Sequence, residues 1–236
     1  MKRNHQSVGL DVACAETGLE CAVSGNDEEQ FDLAWCLRHA NSAVDGSGDI
    51  RHVLAALGDS QRLAALARKG VDVDADTGYG MRPIHYAAAA GHTTTVSTLI
   101  VRGARLERVG VNGESVMAHA GEGTPACLRF LLAQRRTDVN DAALDGQTAL
   151  HRARFSSHAA ENIRLLIEAG ADVNARDENG WTPLHCALDY GNDDMVRQLM
   201  ASGADFRIPD KKGETPLALA ARLLEKNKCS NQSKVA

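Results

Sequence analysis

Apolar residues recur along most of the chain at helical spacing, in short runs that glycines interrupt. In one clear stretch Leu184 and Ala187 lie three apart, and residues three or four apart share one face of an α-helix. A second apolar stripe follows at similar spacing: Met195, Val196, Leu199 and Met200. Gly191 and Gly203 stand just beyond the two stripes, where glycine commonly ends a helix. The pattern therefore predicts two short helices followed by a turn.

The residues before the first stripe are typical of a helix start. Thr182 can act as the N-cap, because its hydroxyl accepts an unpaired backbone N–H of the first turn. Pro183 then fits the first helical position, where no N–H is needed. The segment 204–213 contains proline and glycine and is predicted to form the connecting turn.

This start recurs at a nearly constant interval along the chain. Its leading glycine is found at Gly80, Gly113, Gly146, Gly180 and Gly213, which are 33, 33, 34 and 33 residues apart. Self-similarity at such a period is the signature of a repeat architecture. Each unit has apolar surface on more than one side and has to bury it against its neighbours.

The two ends of the predicted array differ from its middle. Gly70 lies 33 residues before Gly103, so one further unit, without the Thr-Pro start, occupies 47–79. The segment 213–228 begins a first helix but has no second glycine landmark. Because terminal units need a polar outer face, we expect these two segments to cap the array.

Residues 182–187 read Thr-Pro-Leu-His-Cys-Ala and resemble the T-P-L-H-x-A signature of the ankyrin-repeat family; the other copies match it in part. The resemblance extends over about 47–228. It implies an all-α fold, an ankyrin-repeat solenoid of helix-turn-helix pairs joined by hairpin-like turns. The predicted units are 47–79, 80–112, 113–145, 146–179, 180–212 and the half-repeat 213–228.

The net negative charge of the chain belongs to its N-terminal segment. Residues 1–46 contain eight acids and three bases, which leaves 31 − 8 = 23 acids and 26 − 3 = 23 bases elsewhere. This segment is predicted to be largely disordered, with one helix over 28–41 that either docks on the first repeat or remains loose. Residues 229–236 are predicted to form a disordered tail. A net charge of −5 does not favour a nucleic-acid partner.

The 113–145 copy departs most from the pattern. Its first helix would run through Gly121 and Gly123 toward Pro125, and each interior glycine costs about 1 kcal/mol relative to alanine. We therefore predict a short or frayed first helix. Two interpretations stay open at this point, neutral drift of a central repeat and a flexible site that adapts to a partner.

No motif of an enzyme is found in the sequence. There is no G-x-S-x-G nucleophile motif and no phosphate-binding loop, so we predict a protein that is not an enzyme and needs no cofactor, metal or small-molecule substrate. Asp72, Asp74 and Asp76 alternate, but they lack the glycine and glutamate of an EF-hand loop and are interpreted as a solvated hairpin edge.

Two other residue types have a structural interpretation. His85, His151 and His185 recur at the same place in three copies, whereas an active site is usually single. The family resemblance implies that this histidine ties each turn to neighbouring backbone. The six cysteines include no C-x-x-C pair, and no signal peptide or membrane span is evident, so we predict reduced core cysteines in an intracellular protein, cytoplasmic or nuclear.

The resemblance also implies where a protein partner would bind. In the family, partners lie on the concave face, which is made by the hairpin tips and first helices. Carried over to this chain, that face contains the following residues: Tyr79, Met81, Asn112, Glu114, Asp145, Gln147, Phe155, Glu178, Asn179, Trp181, Asp189, Tyr190, Lys211 and Lys212. A chain with few aromatics places Phe155, Trp181 and Tyr190 there, which predicts a contact centre in repeats 146–179 and 180–212. The alternative is that Trp181 packs over the neighbouring hairpin and stabilises the stack.

The function predicted from these patterns is a non-enzymatic protein-protein interaction module, an adaptor, inhibitor or targeting subunit that is itself a monomer. The alternative is a host-directed effector that acts through the acidic segment 1–46. Asn174, and Asn140 at the same spacing, resemble the hairpin asparagine that is hydroxylated in some ankyrin proteins. The other interpretation is a turn asparagine that makes local backbone bonds.

Overall fold

A computed structural model of the chain describes residues 50–76, 81–107, 114–134 and 136–232. The acidic segment 1–46 with its predicted helix 28–41, and residues 233–236 of the predicted tail, lie outside the described residues.

The described residues form helices in pairs that match the predicted interval. The first helices of the units are α1 Ile50–Ala56, α3 Pro83–Ala89, α5 Val116–Ala120, α7 Ala149–Arg152 with the 3-10 turn Ala153–Phe155, α9 Pro183–Tyr190 and α11 Pro216–Gln232. The second helices are α2 Ser60–Arg68, α4 Thr93–Val101, α6 Pro125–Leu132, α8 Ala159–Glu168 and α10 Asp193–Ala201. The all-α repeat fold is therefore confirmed.

Stacking follows the helical pattern of the sequence. Each first helix contacts the first helices of adjacent units, and those of the first five units also contact their own second helix; each second helix contacts the next second helix. One core cluster runs through the whole stack and consists mainly of leucine, alanine, valine and isoleucine. Because aromatic side chains are scarce, the layers depend on small aliphatic groups that let helices approach closely. No helix in the described part of the chain has the length and hydropathy needed to cross a bilayer.

The connecting turns are closed by main-chain hydrogen bonds. The N–H of Asp177 donates to the carbonyl oxygen of Trp181 over 2.9 Å, and the N–H of Asp210 donates to that of Glu214 over 2.9 Å. Gly180 has φ +78°, a left-handed conformation that side chains other than glycine rarely adopt. In the turns that the structure describes, the repeated glycine (Gly146, Gly180 and Gly213) is thus the corner residue.

The third unit has a short first helix, as predicted, but for a different reason. α5 ends at Ala120, and a Cβ atom on Gly121 would lie 2.2 Å from the carbonyl oxygen of Ala149 in the next unit. A Cβ on Gly123 would lie 2.3 Å from the carbonyl oxygen of Ala88 in the preceding unit. The two glycines therefore allow backbones of three units to approach one another, which neither neutral drift nor adaptive flexibility explains.

Replacement of Gly121 by alanine is expected to lower the free energy of unfolding by about 2–3 kcal/mol, the range of an overpacked core. Alanine is the better helix former by about 1 kcal/mol, so helix propensity alone predicts the opposite sign. Urea unfolding followed by circular dichroism measures the change. Gly191→Ala is a contrasting comparison: no atom lies within 4 Å of its added Cβ, but its φ of +72° strains alanine, whereas Gly121 has φ −59° and only the steric contact. A stabilised Gly121→Ala variant would contradict the close-packing argument.

The last helix is longer than predicted. α11 extends to Gln232, past the predicted end of the half-repeat at 228, so the start of the predicted disordered tail is helical. Its exposed residues include Leu217 and Leu224, which are 61 % and 62 % exposed. The expected polar outer face of this cap is thus interrupted by two large apolar side chains.

Candidate partner-binding face

The recurring histidines connect one unit to the next. In the fifth unit the Nδ1 atom of His185 accepts the backbone N–H of Thr182 over 3.0 Å, and its Nε2 atom donates to the carbonyl oxygen of Glu214 over 3.1 Å. His151 makes the same pair of contacts with Thr148 and with the carbonyl oxygen of Trp181. Each ring therefore joins a helix N-terminus to the following turn, and the predicted structural role is confirmed.

His85 occupies the same position although the N-cap there is Arg82 instead of threonine. Its Nδ1 accepts the N–H of Arg82 over 3.0 Å, and its Nε2 lies 3.0 Å from the carbonyl oxygen of Glu114. Burial, and secondarily the nearby His119, lower the pKa of His85 to about 4. Burial likewise lowers the pKa of His151. Both rings are therefore neutral at pH 7 and act as fixed spacers between units.

The turns that carry the predicted binding residues are held by buried aspartates. One carboxylate oxygen of Asp177 accepts the N–H groups of Asn179 and Trp181, each over 2.8 Å. Asp210 does the same for Lys212 and Glu214 in the next turn. Since each turn is fixed internally, the side chains of Asn179 and Lys212 project from a rigid base.

The most exposed aromatic contact on this face joins the fourth and fifth units. Phe155 and Tyr190 are each 50 % exposed and pack edge to face, with ring centroids 5.7 Å apart. The guanidinium of Arg154 lies 4.1 Å from the centroid of the Phe155 ring. An aromatic pair of this kind, held by a cation on one side, presents a preformed apolar surface.

A polar cleft of about 350 Å³ lies beside this pair. It is lined by these residues: Gln147, Arg154, Asp177, Asn179, Trp181, Cys186, Asp210, Lys211 and Lys212. Trp181 is half-buried there; its indole N–H donates to Asp210 over 3.2 Å, and its ring stacks on His185 with centroids 6.0 Å apart. These contacts favour the interpretation of Trp181 as a residue that stabilises the stack.

Farther along the same face, charged groups form a network. Arg152 donates to Glu122 over 2.8 Å and lies 3.4 Å from Asp145. Glu114 lies 3.6 Å from His119 and accepts the N–H of Leu144 over 3.3 Å. The acidic groups Glu114 and Asp145 are therefore engaged within the protein, which reduces their availability to a partner.

The other residues predicted for this face are in different situations. Met81 and Gln147 are half-buried, and Gln147 accepts a hydrogen bond from Arg154 over 3.1 Å. Several residues are exposed: Glu178, Asn179, Asp189, Lys211 and Lys212. Tyr79 and Asn112 lie outside the described residues. Arg154 and Arg152 were not predicted as residues of this face, and their positions on the first helix of the fourth unit are the one signal in the sequence for them.

The alternating aspartates form a solvated edge only in part, because Asp72 and Asp76 are exposed and Asp74 is not. Asp72 accepts the N–H of Asp74, which closes the turn, while Asp74 is buried and forms ion pairs with Arg82 and Arg105. The prediction of a solvated edge is therefore wrong for Asp74 alone, because the basic residue Arg82 at the N-cap position draws its carboxylate inward. Among the described residues there is no cluster of three or more His, Cys, Asp or Glu side chains suited to a metal ion.

The hairpin asparagines bridge adjacent units. The side-chain oxygen of Asn174 accepts the N–H of Asp205 over 2.8 Å, and that of Asn140 accepts the N–H of Asp172 over 2.7 Å. The nitrogen of Asn140 donates to the carbonyl oxygen of Gly170 over 3.3 Å. Hydroxylation of either asparagine stays a prediction.

Two cysteines of the described chain are core residues, as predicted. Cys127 and Cys186 are buried and carry free thiols. Burial raises the pKa of Cys127 to about 11 and that of Cys186 to about 12. A thiol that stays protonated is a poor nucleophile, so neither cysteine offers a reactive site.

Comparison with known proteins agrees with the repeat architecture. The family model for ankyrin repeats matches residues 50–143, 116–210 and 158–230. The chain is 42 % identical over 69 residues to mouse protein phosphatase 1 regulatory subunit 27, a match that covers 29 % of this chain and 44 % of that protein.

Two further relatives are much longer proteins. The human SMC5-SMC6 complex localization factor protein 1 is 41 % identical over 63 residues, and the potassium channel AKT1 of Oryza sativa subsp. indica is 48 % identical over 58 residues. These matches cover 27 % and 25 % of this chain but only 6 % of either relative, so the chain spans less than half the length of each relative named here. The match of the family model across residues 50–230 shows that this chain belongs to the ankyrin-repeat family.

Proposed function

We propose that the chain is a non-enzymatic interaction module that binds a partner protein through its turns and first helices, centred on the fourth and fifth units. The observation that carries this proposal is the exposed Phe155–Tyr190 pair. Two aromatic rings that are each half exposed and fixed against each other give contact area at little entropic cost.

The surroundings of the pair support the same location. The cleft beside it contains Arg154, Lys211 and Lys212, and the two lysines are exposed. Interfaces commonly combine an apolar centre with a charged rim that sets specificity and association rate. Relatives with regulatory and localization names, such as protein phosphatase 1 regulatory subunit 27, support a role as adaptor, inhibitor or targeting subunit.

Simultaneous replacement of Phe155 and Tyr190 by alanine is expected to weaken partner binding by about tenfold or more, since aromatic anchors each contribute about 2 kcal/mol. The measurement is quantitative affinity capture from an extract of the source cells. Because half of each ring is buried, the melting temperature should fall by about a few degrees, and circular dichroism checks that the variant is folded at the assay temperature.

Val101→Ala is the matched control, because Val101 is an apolar residue 79 % exposed on α4, a second helix. Proteins captured by the wild type should be retained by this control and lost by the double variant. Equal capture by all three proteins would contradict a contact centre at the aromatic pair. A further comparison with a chain that lacks residues 1–46 tests the acidic segment, and loss of partners there would favour the effector alternative.

A further inference from the structure

The C-terminal end of the array contains an apolar groove between α10 and α11. It has a volume of about 360 Å³ and is lined only by apolar residues: Leu184, Leu188, Val196, Met200, Phe206, Pro216, Leu217 and Ala220. Met200 and Phe206 are 42 % and 41 % exposed, and Leu217 is 61 % exposed. Among the described residues, no side chain covers this surface.

The repeat itself identifies what belongs in the groove. The positions equivalent to Leu217 in the four preceding units are Ile84, Met117, Leu150 and Leu184, and they are 0 %, 2 %, 0 % and 2 % exposed. In each of those units a second helix lies against the first helix, as α10 lies against α9. Leu217 is exposed because α11 is one helix as far as Gln232, whereas each internal first helix ends within eight residues and is followed by a second helix.

The internal slots also define the chemistry of the missing helix. The helices that fill them are eight to ten residues long: α2, α4, α6, α8 and α10. Each inserts a pair of buried aliphatic residues three or four apart, such as Leu128 and Leu131 or Met195 and Leu199. Their outer faces are polar or exposed, so a suitable occupant is a short amphipathic helix.

A second copy of the chain fits the slot less well. Its exposed apolar helix is α11, which is 17 residues long and already forms one wall of the groove. The other described helices are packed within the array.

We propose that this groove binds a short amphipathic helix of a partner protein, which takes the place of the absent second helix and extends the stack by half a unit. The incoming helix contacts α10 on one side and α11 on the other, as each internal second helix contacts its two neighbours. This site lies on the end of the array and is separate from the Phe155–Tyr190 pair, so either can fail without the other.

A defined probe tests the proposal without knowledge of the partner. The probe is a fluorescent peptide with the sequence of residues 192–204, which contains α10, locked as a helix by a side-chain bridge on its polar face. The bridge is needed because helices this short do not form alone in water. Fluorescence anisotropy is measured while the full 236-residue chain is titrated.

Saturable binding is expected, and Leu217→Glu should weaken it by about tenfold or more. Leu217 is exposed, so this variant should fold, which circular dichroism verifies. Val101→Glu, an exposed position outside the groove, should leave the affinity unchanged. A peptide with aspartate at the positions of Met195 and Leu199 should not bind.

Three results would overturn the proposal. The first is the absence of saturable binding to the wild type, and the second is equal affinity for Leu217→Glu. The third is evidence that the groove is already occupied. Light scattering that finds a dimer, dissociated by Leu217→Glu, would identify a second copy as the occupant. A gain in peptide affinity on deletion of residues 1–46 would identify the chain's own N-terminal segment.

Discussion

Asp74→Asn is expected to lower the free energy of unfolding by about 3–5 kcal/mol, the usual cost of removing one partner of a buried ion pair. Asp74 is 9 % exposed, and its carboxylate lies 3.2 Å from the guanidinium of Arg82, which is 3 % exposed. The substitution keeps the shape of the side chain and removes only its charge. Arg82 would then be a buried cation with no acid opposite it. Urea unfolding followed by circular dichroism measures the loss.

The repeat makes this result informative, because asparagine is the residue at the equivalent positions Asn140 and Asn174. A consensus argument therefore predicts that Asp74→Asn is neutral or stabilising. We expect the opposite, because the units that follow Asn140 and Asn174 have Thr148 and Thr182 at the N-cap position, whereas the unit that follows Asp74 has Arg82 there.

A double-mutant cycle separates the two arguments. The variant with both Asp74→Asn and Arg82→Thr reproduces the residue pair of later units and should recover most of the stability lost in Asp74→Asn. The coupling energy between the two sites should be about 2–3 kcal/mol, in the upper range for residues in contact. Additive effects of the two substitutions would contradict the buried ion pair. Arg105 contributes less, because its side chain is 58 % exposed and surface pairs add about 1 kcal/mol at most.

This pair also illustrates what the sequence could and could not predict. The interval between glycines determined the number of units, the helix pairs and the corner residues, because each depends on local rules that repeat five times. The inward turn of Asp74 depends on one substitution, arginine for threonine at position 82, and on the space that the next unit leaves for it. The mismatch to an EF-hand loop argued against calcium but did not show which carboxylate turns inward, so the solvated-edge prediction is wrong for Asp74 and correct for Asp72 and Asp76.

The candidate site was predictable to a similar extent. Its location on first helices and turns followed from the family resemblance, and Phe155 and Tyr190 are exposed there. The pattern did not specify contacts between units. The edge-to-face packing of Phe155 on Tyr190 and the ion pair of Arg152 with Glu122 both depend on how far each layer is offset from the next. The lack of a second helix after Gly213 was predictable, because no second glycine landmark follows, but the extension of α11 to 17 residues was not.

Acidification is expected to remove about 3 kcal/mol of stability through His85 alone as the pH falls from about 6.5 to about 4. The pKa of His85 is lowered from its ordinary value of 6.5 to about 4 by burial, so the unfolded chain binds this proton first. The contribution of His85 to the free energy of unfolding is therefore fully present above pH 6.5, declines between pH 6.5 and about 4, and is constant below pH 4. His151 adds to the decline in the same direction, because burial lowers its pKa as well.

Urea unfolding at pH values between 8 and 3 would measure the effect as a shift of the midpoint. His85→Gln should flatten the curve between about pH 6.5 and 4, at the cost of lower stability at neutral pH, since Gln cannot reproduce both ring contacts. The exposed His158 is the matched control, and His158→Gln should keep the wild-type curve. The effect of a carboxylate such as Asp205 appears at a lower pH than that of the histidines. Hydrogen bonds from Arg207 lower the pKa of Asp205, so its stabilising contribution is lost only below about pH 4. If the wild-type free energy of unfolding stayed constant from pH 6.5 to 4, the ring of His85 would be protonated in the folded chain over this window. A protonated ring donates from both nitrogens, so beside the inter-unit bond from Nε2 its Nδ1 atom would need a partner that accepts a hydrogen bond.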